Sequence, residues 1–389
     1  MSELPHKHSA ALRRSWPLVP AFAVLIAFSI GLSCTTYGRA AVTSAFFLPD
    51  MMAPLPLRPV TWTTNEPVRE QTTIQYGSRF MPVDIYRPGD DKPHGVMILS
   101  PGAPPLEPDD SRLIRLAGDV ARAGFVMLIP FSPDLEDEMI YPREVDALVA
   151  EFQYLQQQPY VKKDKIGYIG VSVGSPLALL AAADSRINDD VAYVVSFGGY
   201  YDATNVLDAV TTGRISYDGV DETWEPDEHS VDVMSEQVIN RLDDARDREI
   251  LLGALVDRED WATGELWQLT PEGRAAFELL TNKDPSRVDE LLSRSPSEPR
   301  QALDDLSLGG RLEGLHAETF ILHDKADRFV PYTESRRLRD ALQGQVKLHF
   351  TEVDVFEHVE PTMDRSPHTL ITDSLKLFLH LFQILIHFR

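Results

Sequence analysis

The chain has 389 residues, 43% apolar and 25% charged, proportions that exclude a disordered or fibrous protein and leave room for a large domain with an insertion. A formal net charge of −23 excludes nucleic acid as a partner, because phosphate binding needs basic patches. Its single cysteine, Cys34, excludes an internal disulfide framework, and the histidines show no ligand spacing, so neither metal nor cofactor is expected.

Lys7, Arg13 and Arg14 precede an uncharged run from Ser15 to Gly38, and small residues follow at 40–45. This is the build of an export signal or membrane anchor over residues 1–45, which places the rest of the chain outside the cytoplasm, anchored or secreted. Gly31-Leu32-Ser33-Cys34 is similar to a bacterial lipobox, with Gly31 where leucine is usual. Cleavage, retention as a single span and lipid attachment at Cys34 are therefore all open. Residues 46–71 are rich in Pro and Thr with no helical period, which suits a linker.

Strand patterns begin near Thr72 and continue with the alternating run 80–86 and the apolar run 95–100. A helix is expected over 110–123, a strand over 125–130, and a second helix over 142–157. The next strand, at Ile166, runs into Gly170-Val171-Ser172-Val173-Gly174 and then an Ala- and Leu-rich helix. A serine between strand and helix, flanked by glycines, is held exposed where a base can reach it. Helix amides would face the space above Ser172, where an oxyanion would form. Another strand follows over 191–197. Strand–helix alternation of this kind reads as α/β, a mostly parallel sheet covered by helices on both faces.

The rhythm then stops. Residues 201–314 are helical in pattern and hold 27 Asp and Glu against 11 Lys and Arg, so they carry most of the net negative charge. They read as a helical cap inserted between two late strands of one sheet, with Trp224, Trp261 and Trp267 as candidate pocket or core aromatics. Strand pattern resumes at 319–323, followed by a helix near 334–342, a strand over 346–353 and an apolar terminal helix. In that helix Lys376, His380, Gln383 and His387 form one polar stripe. Begun near Leu375, it is too short to span a bilayer comfortably and is expected to pack on the sheet.

After the cap come His323-Asp324-Lys325-Ala326-Asp327-Arg328-Phe329-Val330-Pro331 and, one strand later, Phe356-Glu357-His358-Val359-Glu360-Pro361. With the Gly-x-Ser-x-Gly turn, these segments resemble the α/β-hydrolase superfamily from about Thr72 to Arg389, the cap apart. That family often carries its acid in a loop of the type H-G-x-x-D-x-x-V-P, with nucleophile, acid and histidine in that chain order. The resemblance implies a hydrolase core formed by 72–200 and 315–389, with Ser172 as nucleophile, Asp327 as acid and His358 as base. Asp324 stands where the family has glycine and is a minor rival for the acid. His349, His368, His380 and His387 are rivals for the base that lie in or near predicted strand and helix. For the oxyanion the resemblance implies the backbone N–H of Val173, with a second donor from the loop after 95–100. There Pro101 and Pro104 have no N–H, and Ala103 is the best candidate.

The expected activity is cleavage of a small-molecule carboxylic ester through a Ser-His-Asp triad and an acyl-enzyme. A serine peptidase of the prolyl-oligopeptidase kind uses the same parts. A catalytically silent hydrolase fold tethered to a membrane is the reading from another class. Dienelactone hydrolases look similar too, with cysteine in place of Ser172.

Overall fold

The computed structural model describes residues 35–52, 64–102, 107–136, 139–358, 360–362 and 364–388. The basic start, the lipobox-like Cys34, most of the apolar run and Ala103 lie outside the described residues.

The chain begins with helix α1 (Thr36–Met52), then strands β1 (Val68–Tyr76), β2 (Arg79–Arg87) and β3 (His94–Ser100). Helix α2 (Ser111–Arg122), strand β4 (Phe125–Pro130), helix α3 (Glu144–Gln156), strand β5 (Val161–Val171), helix α4 (Gly174–Ala183) and strand β6 (Tyr193–Phe197) continue the alternation. The insertion comprises helix α5 (Ala203–Thr212), the hairpin β7 (Arg214–Tyr217) and β8 (Val220–Thr223), and helices α6 (Glu228–Ile239), α7 (Ala245–Leu255), α8 (Asp260–Glu265), α9 (Pro271–Leu280), α10 (Val288–Arg294) and α11 (Ser297–Leu306). Strand β9 (Glu318–Asp324), helix α12 (Tyr332–Leu342), strand β10 (Leu348–Val353) and helix α13 (Pro367–Phe388) complete the described chain.

Eight strands form one sheet in the order β1-β2-β4-β3-β5-β6-β9-β10. The pairings β1·β2 and β2·β4 are antiparallel, and all from β4 to β10 are parallel. Parallel neighbours need a crossover, and helices on both faces supply it. Alternate residues of one strand therefore enter two different cores. Val96 and Ile98 join α3, α4 and the cap, whereas Met97 and Leu99 join α2 and α13. Burial on both faces explains why these strands read as unbroken apolar runs. The fold is that of the α/β-hydrolase superfamily with an inserted helical cap.

Local chemistry sets the helix positions. Asp110 caps α2 by accepting the Arg112 N–H at 2.7 Å, and Leu113, Ala117, Val120 and Ala121 then make one buried stripe. In α1, the buried Ala40, Ser44 and Leu48 recur every fourth residue on a helix that packs against α13.

Helix α13 corrects an expectation. It starts at Pro367 rather than near Leu375, so its 22 residues are long and apolar enough to cross a membrane. Among the described residues this candidate span is C-terminal, not N-terminal. In the fold α13 lies on the sheet, with Phe388 stacked on Tyr193 at 4.2 Å between ring centroids. His380 of the expected polar stripe is buried, with Nδ1 3.0 Å from Thr351 Oγ1, while Ile371, Leu375 and Leu379 are exposed.

Candidate active site

The elbow is built by two glycines and one strained serine. Ser172 sits between β5 and α4 at φ 51°, a left-handed conformation that costs an ordinary residue about 1–2 kcal/mol. A Cβ on Gly170 would lie 2.4 Å from Ser175 Cα, and one on Gly174 would lie 2.1 Å from the Ser100 carbonyl oxygen. Neither position has room for a side chain, so the turn can be this tight only with glycine there. The Ser172 N–H donates to the Phe197 carbonyl at 2.9 Å, and the Ser172 carbonyl accepts from Ser175 N–H at 3.0 Å. These two bonds hold the strain, and the residue is buried beneath the cap.

The acid loop and the histidine loop leave the sheet at the same edge. His358 Nδ1 is 2.8 Å from Asp327 Oδ2. Asp327 Oδ1 accepts the N–H groups of Phe329 at 2.7 Å and Val330 at 3.0 Å. His323 Nε2 approaches the same carboxylate, 3.2 Å from Oδ2 and 3.1 Å from the Val330 carbonyl oxygen. Burial by itself would raise the Asp327 pKa, but the hydrogen bonds from His323 and His358 outweigh it and hold the carboxyl well below its usual range. The side chain is therefore a carboxylate at neutral pH.

Asp324 has a different task. Its Oδ2 accepts from Val355 N–H at 2.7 Å and Phe356 N–H at 2.6 Å, and its Oδ1 from Ala326 N–H at 2.7 Å. It pins the histidine loop to the end of β9 and makes no bond to His358. Among the rival histidines, His349 is bound to Glu318 at 2.7 Å and His380 to Thr351. His368 and His387 are exposed on α13. None of the four joins the acid.

Ser172 and His358 share no hydrogen bond in this structure, yet they border the same small space. The β6 residue Phe197 accepts the Ser172 N–H, and the next residue, Gly198, faces the imidazole. A Cβ on Gly198 would be 3.3 Å from His358 Cε1 and 3.5 Å from Asp327 Oδ2. Phe329 stacks on the His358 ring at 4.7 Å, and both Phe329 and Ser172 line one cavity. Catalytic hydrogen bonds are often long without substrate and tighten in the complex.

The backbone N–H of Val173 has no acceptor among the described residues and opens on the same cavity. A Cβ on Gly102 would lie 3.0 Å from Ser172 Cβ, so the loop after β3, which leads to Ala103, passes beside the serine. The cavity, about 70 Å³, lies between core and cap and is lined chiefly by Ile140, Val206, Val233, Met234 and Leu303. It is under half the size of an engineered cavity of about 150 Å³ that holds benzene.

Of the two places open to the tryptophans, pocket and core, Trp224 takes the core, where it donates its Nε1–H to the Asp327 carbonyl at 2.8 Å and supports the acid loop. Trp261 and Trp267 are exposed on the outside of the cap. Gly198, which faces the imidazole, and Arg241, which lines the cavity, were not singled out from the sequence, and neither were the contacts that Trp224 and Phe329 make. Gly198-Gly199 at a strand end was a visible signal of unusual backbone, and for the cap residues no signal was available.

Residues 150–247 match a family model described as the C-terminal domain of BAAT and acyl-CoA thioester hydrolases. That span holds Ser172 but neither Asp327 nor His358. No curated protein matches the chain. Among solved structures, the chain is similar to an acylaminoacyl peptidase of Pyrococcus horikoshii, at 12% identity and TM-score 0.46 over 83% of this chain and 41% of that one. It thus spans well under half of the peptidase. A dienelactone hydrolase of Anabaena variabilis is similar at 14% identity and TM-score 0.42, over 84% of this chain and 100% of that one. A 2,6-dihydroxy-pseudo-oxynicotine hydrolase is similar at 18% identity and TM-score 0.45, over 82% and 68% of the two chains. What the chain shares with these proteins is the hydrolase fold.

Proposed function

We propose that the protein is a serine hydrolase that cleaves small carboxylic esters through Ser172, His358 and Asp327. The observation that carries this reading is the buried Asp327–His358 bond at the sheet edge where Ser172 is held in a strained turn. In the first half-reaction Ser172 Oγ attacks the ester carbonyl carbon while His358 Nε2 takes the hydroxyl proton. Asp327, bonded to Nδ1, fixes the tautomer and stabilises the imidazolium. The oxyanion is met by Val173 N–H and by a donor in the loop after β3, for which Ala103 is the proposed source. His358 then passes its proton to the departing alcohol, leaving an acyl-serine. Water, deprotonated by the same imidazole, attacks the acyl carbon and releases the acid.

A serine peptidase is the second reading, since the same parts cleave amides and the similar structures include peptidases. The described lining residues of the cavity include no carboxylate that would pair with a substrate ammonium group, which counts against an aminopeptidase but not against a peptidase that cuts within a chain or next to a blocked amino terminus. Thioesters, which the matched family model names, would share the ester route. Residues 7–38 support a location outside the cytoplasm, anchored or secreted.

Labelling with a fluorophosphonate, followed by a panel of short esters, thioesters and proline-containing peptides, tests this reading. Wild type is expected to label and Ser172→Ala to stay unlabelled. Labelling that survives the substitution would assign the nucleophile elsewhere, and turnover of peptides alone would favour the peptidase.

A further inference from the structure

The cavity beside Ser172 is lined mostly by apolar residues, with Tyr200, His229, Ser230 and Gln237 among them, and Arg241 is the one permanently charged side chain of its described lining. Arg241 lies just beyond α6 and is 6% exposed. Its Nη1 donates to the Gln237 carbonyl at 2.6 Å and to Gln237 Oε1 at 3.0 Å, and its Nη2 to the Ile140 carbonyl at 2.6 Å. All three acceptors are neutral. Among the described residues no carboxylate comes within ion-pair distance of it, Glu298 acting on its charge only from farther off. The Tyr141 ring lies 5.2 Å away, but that ring is shared with Arg143, whose own charge meets Asp134 at 2.6 Å.

Long basic side chains ordinarily carry their heads out to water. This one turns its head inward, where a charge without a direct ion pair is costly. Tying α6 to Ile140 accounts for the three bonds, and a neutral donor would serve that purpose as well. Burial lowers the pKa of this guanidinium, but arginine remains protonated at any physiological pH. A fixed cation in a low-dielectric cavity is the chemistry that recognises an anion, and planar carboxylate suits the guanidinium fork.

We propose that Arg241 anchors a carboxylate borne on the acyl part of the substrate, so that the preferred class is half-esters of short dicarboxylic acids. The inference rests on the reading of Ser172 as an acylated nucleophile. It makes Arg241 a specificity residue that binds substrate remote from the bond being cleaved. The acidic exterior repels such a substrate at long range, so discrimination must come from contact inside the cavity, where the charges are least screened.

The test compares the p-nitrophenyl half-ester of glutaric acid with neutral p-nitrophenyl valerate on the full-length protein. Wild type is expected to show a kcat/KM ratio of about tenfold or more in favour of the anionic ester, the worth of a charge-assisted hydrogen bond. Arg241→Gln should lower that ratio at least tenfold, and Arg241→Lys should retain part of it. A measurement on wild type alone covers the case in which the variants do not fold. Glutaramate, with a carboxylate at one end and a neutral amide at the other, should inhibit valerate ester hydrolysis competitively and about tenfold more tightly than neutral valeramide. Equal handling of both esters, or equal inhibition by glutaramate and valeramide, by a protein that still labels at Ser172 overturns the role of Arg241 and leaves the hydrolase reading standing. Failure of Ser172 to label overturns both.

Discussion

Gly198→Ala isolates the geometry of the base from the chemistry of the triad, because it changes no polar group. Gly198 has φ +61°, and an added Cβ would stand 3.3 Å from His358 Cε1, 3.4 Å from Nδ1 and 3.5 Å from Asp327 Oδ2. Two costs follow. The left-handed backbone costs alanine about 1–2 kcal/mol wherever it occurs. The contact also asks the imidazole to move by a few tenths of an ångström, since carbon atoms settle at about 3.5–4.0 Å. A displacement of about 1 Å can cost two orders of magnitude in rate, so a shift of this size is expected to cost about tenfold. Gly310→Ala is the control, with φ +67° and nothing within 4 Å of the added Cβ. Urea unfolding should show a similar loss of stability in both variants. The rate of fluorophosphonate labelling at Ser172 should fall about tenfold in Gly198→Ala alone. If both variants label at the same rate, His358 is not the group that activates Ser172, and the proposed mechanism loses its base.

The two aspartates of the acid loop should part company on substitution. Asp327→Asn removes the charge that stabilises the imidazolium and is expected to lower kcat by about 10⁴, as in other Ser-His-Asp sites. Asp324→Asn turns an amide toward the N–H groups of Val355 and Phe356 and should cost about 1–3 kcal/mol of stability with a far smaller loss of rate. The reverse pattern in kinetics and unfolding would exchange their roles. Glu334 is buried where the chain enters the cap, accepting from Tyr201 N–H at 3.2 Å and Asp202 N–H at 2.9 Å, and burial pushes its pKa up to about 7. Between about pH 4.5 and pH 7 the folded protein thus holds a proton that the unfolded chain has released, and stability falls as pH rises through that window. Relative to Glu334→Gln, wild type should lose roughly 3 kcal/mol across it, read as urea midpoints; a pH-independent difference would refute the assignment. Cell fractionation of Cys34→Ala tests lipid attachment, which predicts loss of the membrane-bound fraction, whereas an unchanged fraction removes that route.

The sheet was legible because its chemistry is repetitive. Phe125–Pro130 is buried at every position, so the sequence shows six residues that only a two-sided interior accommodates. The elbow was legible for a related reason: Gly170 and Gly174 are fixed by contacts under 2.5 Å, and no larger residue can replace them. The candidate acid loop was legible by the spacing of Asp327 to Val330-Pro331, and the structure brings Asp327, rather than Asp324, to His358. What sequence could not show depends on chain segments far apart. Arg241 reads as an ordinary basic residue after an amphipathic helix until the Ile140 segment and the cap fold over it. The outward face of α13 was hidden too, because its polar residues pair with the sheet. A helix with one polar stripe looks the same whichever side is buried.

The cap is more than a roof. Trp224 donates to the Asp327 carbonyl, Asp227 N–H donates to the Arg328 carbonyl at 2.7 Å, and Ser230 Oγ donates to the Phe329 carbonyl at 2.8 Å. Three consecutive carbonyls of the acid loop are thus held by the insertion, while the N–H groups of Phe329 and Val330 are spent on the Asp327 side chain. The cap thus adds to the bonds the loop makes to the core, among them Lys325 N–H to the Val353 carbonyl and His323 Nε2 to the Val330 carbonyl. Any opening of the cap at the Trp224–Ser230 edge has to break these bonds and release the carboxylate that orients His358. An open cap and an assembled acid loop are therefore mutually exclusive at that edge.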